Sequence, residues 1–170
     1  PISGGGRYRG GSGGDMLDFT TTDSSFDVLG AMPVCVLNDQ IVVYNLGIPS
    51  STAYAGDTRT PCVSVTPPKV NITAKKFPFE SPGKRFHVVN RPVTYVCAPV
   101  AGGLGGTLTR YWGYNYAAAQ PTNTAAAPLL GANSARLATN VGAAAGGGCS
   151  FTYDPNAVSQ RNGLVSMQLT

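Results

Sequence analysis

The four cysteines Cys35, Cys62, Cys97 and Cys149 limit what this chain can fold into more than any other feature. They are widely spaced and include no CxxC pair of the kind that zinc ribbons and thioredoxin-like sites require. Two disulfides are the better interpretation. Four cysteines allow three connectivities, and the sequence alone does not choose among them. We favour Cys35 with Cys62 and Cys97 with Cys149.

A lean hydrophobic core makes such crosslinks important. Leu, Ile, Val and Phe account for 37 of the 170 residues, only slightly above the share of about 20% that is associated with disorder. The chain also contains 22 Gly and 13 Pro, which predicts much turn and loop. In the chain-entropy model each favoured disulfide would contribute about 3.5 to 4 kcal/mol. Stable disulfides indicate an oxidising compartment, the periplasm or the cell exterior.

Short β-branched and aromatic runs recur along the chain, and helical periodicity is hard to find outside the Ala-rich segment. This pattern predicts a mainly β fold with an antiparallel sheet, long loops and two disulfides. Residues 62–66 and 69–75 are expected to form one hairpin, and residues 85–89 and 92–97 another. Further strands are predicted at 17–20, 40–45, 106–114, 149–153 and 164–169.

The length fits a single domain spanning residues 1–170. Within it, residues 1–14 are so rich in Gly that we expect a flexible or turn-rich leading segment. Residues 117–148 are dominated by Ala, Gly, Pro, Thr and Asn, which predicts a long surface excursion. No run of 18 or more apolar residues marks a membrane helix, and no signal peptide is recognisable. Export would then depend on a targeting segment that was removed or lies on another polypeptide.

The net charge of +4 conceals two halves of opposite sign. Residues 1–57 carry two arginines and six aspartates, a net charge of −4, whereas residues 58–170 carry ten cations and two acids, a net charge of +8. Cations and Phe residues alternate between Lys69 and Arg91, but they equally fit a solvated hairpin with its apolar side inward. No nucleic-acid partner is expected.

Catalytic chemistry has little support in the sequence. His87 is the only histidine, and no G-x-S-x-G elbow accompanies it. Four aspartates resemble a calcium loop only loosely and are better explained as turn or capping residues: Asp15, Asp18, Asp23 and Asp27. The glycine clusters match no phosphate-binding loop. We expect no catalytic residue, no metal and no cofactor.

A cluster of aromatic residues is the one candidate contact surface for a ligand: Tyr111, Trp112, Tyr114 and Tyr116. Exposed aromatic side chains often mark binding surfaces, and these could stack on a sugar. Strand alternation places Leu108, Trp112 and Tyr114 on one face with Arg110 between them, and about half of the rings inward. Core packing is therefore the expected role of Trp112.

Several segments, in a consistent order, resemble minor pilin-like proteins of the type IV pilus system called mannose-sensitive haemagglutinin (MSHA), of the MSHA biogenesis protein O type. The segments are GGGRYRG (4–10), LDFTTTDSSFDVLG (17–30), VVYNLGIP (42–49), SPGKRFHVV (81–89), PVTYVC (92–97), LTRYWGY (108–114), LATNV (137–141), CSFTYDP (149–155) and QRNGLV (160–165).

The resemblance implies an α+β pilin architecture, in which an N-terminal helix anchors the subunit and a β-sheet head faces outward. It also implies a disulfide between Cys97 and Cys149, and no catalytic residue. The helix itself is absent from the sequence. We therefore expect the head of a pilin, with its helix removed or supplied by a separate chain.

The primary functional hypothesis is a structural subunit of a type IV pilus or related extracellular filament, acting in assembly and surface display. Its partners would be other pilin subunits or a separate helix chain, and it would form a filament or homo-oligomer. Membrane contact would come only through the missing helix. The expected location is the pilus on the bacterial cell surface, with the inner membrane or periplasm as the location before assembly. The alternative is an adhesin-like module that binds carbohydrate or a surface through the loops at 101–106 and 117–148.

Overall fold

A computed structural model describes residues 1–101, 105–143, 149–154 and 164–169. These ranges contain thirteen β-strands and no helix, so the prediction of a mainly β fold is confirmed. The strands are β1 Ile2–Tyr8, β2 Asp23–Leu29, β3 Gln40–Val43, β4 Arg59–Thr66, β5 Lys69–Lys75, β6 Arg85–Val89, β7 Val93–Ala98, β8 Val100–Ala101, β9 Thr107–Trp112, β10 Asn133–Thr139, β11 Gly142–Ala143, β12 Cys149–Asp154 and β13 Leu164–Leu169.

The chain divides into two compact units, where the sequence led us to expect one domain. The first unit comprises Pro1–Pro92 together with Tyr114–Pro121, and the second comprises Val93–Gly113 together with Thr122–Thr170. Each unit contains one disulfide. Cys35 is bonded to Cys62 in the first unit, across 27 positions, and Cys97 is bonded to Cys149 in the second, across 52 positions. Both favoured pairings are therefore confirmed.

The first unit is a closed barrel of six antiparallel strands in the order β1-β2-β5-β4-β3-β6. Closure removes the open edges that a flat sheet would present. The interior is filled by aromatic and β-branched side chains. The eleven buried residues of this core are Tyr8, Leu17, Phe26, Val28, Ile41, Val43, Val70, Ile72, Phe77, Phe86 and Val88.

Strand β6 shows how the sequence builds this core. Phe86 and Val88 are fully buried, whereas Arg85, before them, and His87, between them, are exposed. Successive strand side chains point to opposite faces, so the two apolar residues point into the barrel and the two basic residues point outward. Both edges of β6 are paired, one with β1 and the other with β3.

Strand β1 falls within the Gly-rich segment 1–14, where we expected turns. Its glycines permit a close approach to β6. A Cβ atom on Gly5 would lie 2.6 Å from the carbonyl oxygen of Phe86, and one on Gly6 would lie 3.1 Å from the Phe86 ring. The run of glycines therefore lets β1 pack closely along β6, although glycine is unfavourable in most strands.

Two of the local predictions need correction. The hairpin at 62–66 and 69–75 is confirmed as β4 and β5, but residues 85–89 do not pair with residues 92–97, because β6 is used on both edges to close the barrel and β7 pairs with β9. Residues 17–20 form no strand. The Asp18 carboxylate accepts hydrogen bonds from the backbone N–H groups of Thr20 and Thr21, which holds this segment in a turn.

The described residues of the second unit form three small sheets. The first is antiparallel with the strand order β10-β9-β7, the second is a short parallel pair of β8 and β11, and the third is the antiparallel hairpin of β12 and β13. The predicted strands at 106–114, 149–153 and 164–169 correspond to β9, β12 and β13. Strands β10 and β11 lie within the segment 117–148, where we expected a surface excursion. Strand β10 is exposed along nearly all of its length.

Barrel closure can be tested with one pair of glycine substitutions. We expect Gly5→Ala to lower the free energy of unfolding by about 1 to 3 kcal/mol, because the added methyl group meets the Phe86 backbone, which cannot rotate away. Gly11→Ala is the matched control. A Cβ atom there has open space within 4 Å, so a change below about 0.5 kcal/mol is expected. Urea unfolding of both variants measures the difference, and equal effects would contradict the close β1–β6 packing.

Candidate functional site

The predicted aromatic cluster is divided between the two units. Tyr111 and Trp112 are consecutive residues of β9 in the second unit, so their side chains point to opposite faces of the three-stranded sheet. Trp112 is in register with Val93 of β7 and Asn133 of β10. Both rings are partly buried. The structure therefore does not bring Tyr111 and Trp112 together on a common surface.

The sheet face that carries Trp112 has a mixed aromatic and cationic character. The guanidinium carbon of Arg110 lies 5.1 Å from the centre of the Trp112 ring, within the range of a cation–π interaction. Tyr95 of β7 is directly opposite Arg110 and is 46% exposed. Alternation places all three on one side of the sheet. We call this surface, formed by Tyr95, Arg110 and Trp112, the Trp112 face.

The two other tyrosines belong to the first unit. Tyr114 is only 6% exposed, and Tyr116 is half-buried. The Tyr116 hydroxyl donates a hydrogen bond of 2.5 Å to the carbonyl oxygen of Asn90, and the Arg59 guanidinium lies 4.2 Å from the ring centre. Burial raises the pKa of Tyr116 to about 12 although the nearby Arg59 charge opposes the shift. Tyr116 thus fixes the segment Tyr114–Pro121 to the first unit.

Arg59 is itself held in place on strand β4. Its Nε donates a hydrogen bond of 2.6 Å to the carbonyl oxygen of Ala53, and its Nη1 donates one of 3.2 Å to Oε1 of Gln40. One face of the Tyr116 ring is therefore covered by a positioned cation. Together with the hydrogen bond from its hydroxyl to Asn90, this contact fits a structural role for Tyr116.

The four aspartates form a turn network next to β2. Asp23 accepts a hydrogen bond from the backbone N–H of Asp18 at 2.8 Å, and Asp15 accepts one from the Ser25 hydroxyl at 2.6 Å. Asp15 also lies 2.5 Å from the Lys69 ammonium nitrogen. Although burial favours its neutral form, the Lys69 and Ser25 contacts lower the pKa of Asp15. These carboxylates are directed at donors within the protein.

The remaining aspartate of this network, Asp27, accepts from the backbone N–H of Asp15 at 3.1 Å and lies 3.4 Å from Nε of Arg9. Within the ranges that the structure describes, no cluster of three or more His, Cys, Asp or Glu side chains is arranged to hold a metal ion. The same ranges contain no helix long and apolar enough to cross a membrane.

His87 lies on the outer wall of the barrel, beside Arg85. Partial burial and the positive charge of Arg85 both lower the pKa of the imidazole. His87 borders an open groove of about 320 Å³ over the glycine run of β1. Sequence reasoning considered His87 alone and missed its basic neighbour Arg7, because the pairing of β1 with β6 joins segments that are far apart in the chain.

The turn network makes a prediction about pH. Hydrogen bonds from the Thr20 hydroxyl, the Thr20 backbone N–H and the Thr21 hydroxyl lower the pKa of Asp18 from 3.8 to about 2. Because the folded value is the lower one, the unfolded chain binds the proton first, and the stabilisation is present above pH 4 and lost as the pH falls towards 2. We expect Asp18→Asn to be less stable than the wild type at pH 6, and this difference to shrink between pH 4 and pH 2.

Urea unfolding at a series of pH values measures this difference. Thr20→Val offers a second variant, since removal of the strongest donor should raise the pKa of Asp18 towards its ordinary value while the carboxylate is kept. A stability difference between Asp18→Asn and the wild type that stays constant from pH 6 to pH 2 would contradict the assignment.

Comparison with protein-family models, curated proteins and solved structures found no match to this chain.

Proposed function

We propose that this chain is a structural subunit of a type IV pilus or a related extracellular filament, which acts in assembly and surface display without chemical turnover. The proposal begins from the sequence segments that resemble minor pilins of the MSHA system. The observation that supports it best is the disulfide between Cys97 and Cys149. That pairing was implied by the resemblance, and it joins β7 to β12 within the second unit.

The two disulfides agree with the oxidising compartment in which a pilus subunit is made and displayed. All four cysteines are paired, with none left free. Structural disulfides of this kind persist in the periplasm and outside the cell, where thiols are not kept reduced. In the proposal, the precursor resides in the inner membrane or periplasm and the assembled protein is displayed on the surface pilus.

Strand edges of the second unit supply surfaces that suit assembly. Among the described strands, β10 and β7 each pair only with β9 and so form the two edges of their sheet. Strand β10, Asn133–Thr139, is exposed along nearly all of its length. An unpaired edge can add a strand from another chain through backbone hydrogen bonds. The proposed partners are other pilin subunits or a chain that supplies the N-terminal helix.

Immunogold electron microscopy of the producing cells tests the filament proposal. We expect antibodies raised against the purified chain to label surface filaments, and this labelling to disappear in a strain that lacks the gene. Filaments sheared from the cells should contain the chain in immunoblots. Unlabelled filaments in cells whose chain is found only in soluble periplasmic or secreted fractions would overturn the proposal.

An adhesin-like binding module is the second candidate, and the Trp112 face favours it. Tyr95 is 46% exposed, and the guanidinium group of Arg110 lies beside the Trp112 ring. Such a surface combines aromatic rings for stacking with a positive charge that attracts an acidic group of a sugar. Tyr114 and Tyr116 belong to the first unit. Of the loops expected to contact a surface, residues 102–104 and 144–148 lie outside the described residues.

A glycan array tests the Trp112 face directly. If sugar stacks there, we expect Trp112→Ala to weaken binding about 5- to 30-fold, which corresponds to a loss of about 1 to 2 kcal/mol. Tyr116→Phe is the matched control, because it alters an aromatic residue of the same predicted cluster in the other unit and should leave binding unchanged. Glycan binding that survives Trp112→Ala would eliminate this face as the site.

A further inference from the structure

The outer wall of the barrel contains a groove that neither proposed function uses. It has a volume of about 320 Å³ and runs between the glycines of β1 on one side and β6 on the other. Its floor is the backbone of Gly4, Gly5 and Gly6. Its polar walls are the side chains of Arg7, Arg85 and His87. We call this feature the glycine groove.

Strand register explains why the groove is open. Gly5 is directly opposite His87, and Arg7 is directly opposite Arg85. On β6, Arg85 and His87 alternate with the buried Phe86 and Val88 and so face outward, and their partners Arg7 and Gly5 lie on the same outer side. Because Gly5 has no side chain, the space beside the imidazole is empty: a Cβ atom on Gly5 would lie 3.4 Å from Nδ1 of His87. Arg7, Arg85 and His87 all line the groove that contains this space.

The charges around the groove are all basic and are not neutralised. Like charges directly opposite each other on neighbouring strands are unfavourable. Among the described residues, neither Arg7 nor Arg85 forms an ion pair, whereas the adjacent cations do: Arg9 pairs with Asp27, and Lys84 pairs with Glu80. Arg9 and Lys84 therefore have acidic partners, whereas the facing Arg7 and Arg85 have none among the described residues.

A second groove, of about 270 Å³, continues the basic surface on the far side of Arg7. Its lining includes Arg9, Lys84, Gly10 and Gly11. Arg7 lines both grooves. The other cations of the second groove, Arg9 and Lys84, are paired with Asp27 and Glu80, so an anion at Arg7 would be held chiefly by Arg7 and Arg85, and the open second groove leaves room for the rest of a longer molecule.

We propose that the glycine groove is a binding site for a tetrahedral oxyanion, a phosphate or sulfate group, held between the guanidinium groups of Arg7 and Arg85. Planar guanidinium groups make paired hydrogen bonds to such oxygens, and the imidazole of His87 supplies a further donor when it is protonated. The anion offsets the repulsion between the two arginines. This site goes beyond the filament function and does not depend on it.

His87 makes the test direct, because the chain has no other histidine. Its imidazole proton signals can be followed by proton NMR without assignment of the whole spectrum. Inorganic phosphate, inorganic sulfate and a sulfated heparin disaccharide are titrated separately at constant ionic strength with sodium chloride. We expect at least one of them to shift the His87 signal with saturation. The apparent pKa of His87 should rise when the site is filled, since the bound anion favours the charged imidazole.

Substitutions separate a site from general charge screening. Arg7→Gln and Arg85→Gln should each weaken the binding at least tenfold, while Lys76→Gln, which removes an exposed cation of the same unit outside the groove, should leave it within twofold. Thermal unfolding provides an independent measurement. Without added oxyanion, both arginine variants should be at least as stable as the wild type, and oxyanion should raise Tm only in the wild type and Lys76→Gln.

The three probes also distinguish whether the bound oxyanion belongs to a phosphorylated ligand or to a sulfated glycan. Tighter binding of phosphate than of sulfate would support a phosphorylated ligand, and tighter binding of the disaccharide than of free sulfate would support a sulfated glycan. Signal shifts that do not saturate, or that are equal in the wild type and in all three variants, would show charge screening alone and overturn the proposal. So would an absence of any shift with all three probes.

Discussion

The close pairing of β1 with β6 is the interaction on which the first unit depends. Consecutive strands pair within β3-β4-β5 and within β1-β2, but closure requires the first strand to reach the sixth. The glycines of β1 make this contact possible, because a Cβ atom on Gly5 would collide with the backbone of Phe86, and one on Gly6 would crowd its ring. Once β1 is in place, Tyr8 and Phe86 are both fully buried in one core.

The same glycines have a second effect on the outer surface. A strand usually covers both sides of a barrel wall, with apolar side chains inside and polar ones outside. Here the outward position opposite His87 has no side chain, and the next outward pair consists of two arginines. The feature that closes the barrel therefore also exposes backbone and concentrates positive charge at one place on its wall. Packing and surface chemistry at this point have a common origin.

Sequence reasoning succeeded where the relevant contacts are local. The hairpin of β4 and β5 follows from two β-rich runs separated by Pro67 and Pro68, and the arrangement of Leu108, Arg110 and Trp112 on one side of β9 follows from simple alternation. It failed where distant segments meet. Adjacent runs at 85–89 and 92–97 suggested a hairpin. Strand β6, which carries the buried Phe86 and Val88, pairs instead with β1 and β3. The contact of Arg59 with Tyr116 has no local signal at all.

The contact between Tyr116 and Arg59 has a consequence for how the chain is organised. Residues 93–113 of the second unit are in effect an insertion into the first, since the chain leaves the first unit after Pro92 and returns to it at Tyr114. A polypeptide ending at Pro92 would contain every barrel strand and the disulfide between Cys35 and Cys62. It would nevertheless lack Tyr116, whose ring packs against Arg59 and whose hydroxyl donates a hydrogen bond to the carbonyl oxygen of Asn90. The barrel unit therefore does not end at Pro92, because its contacts also include the later segment Tyr114–Pro121.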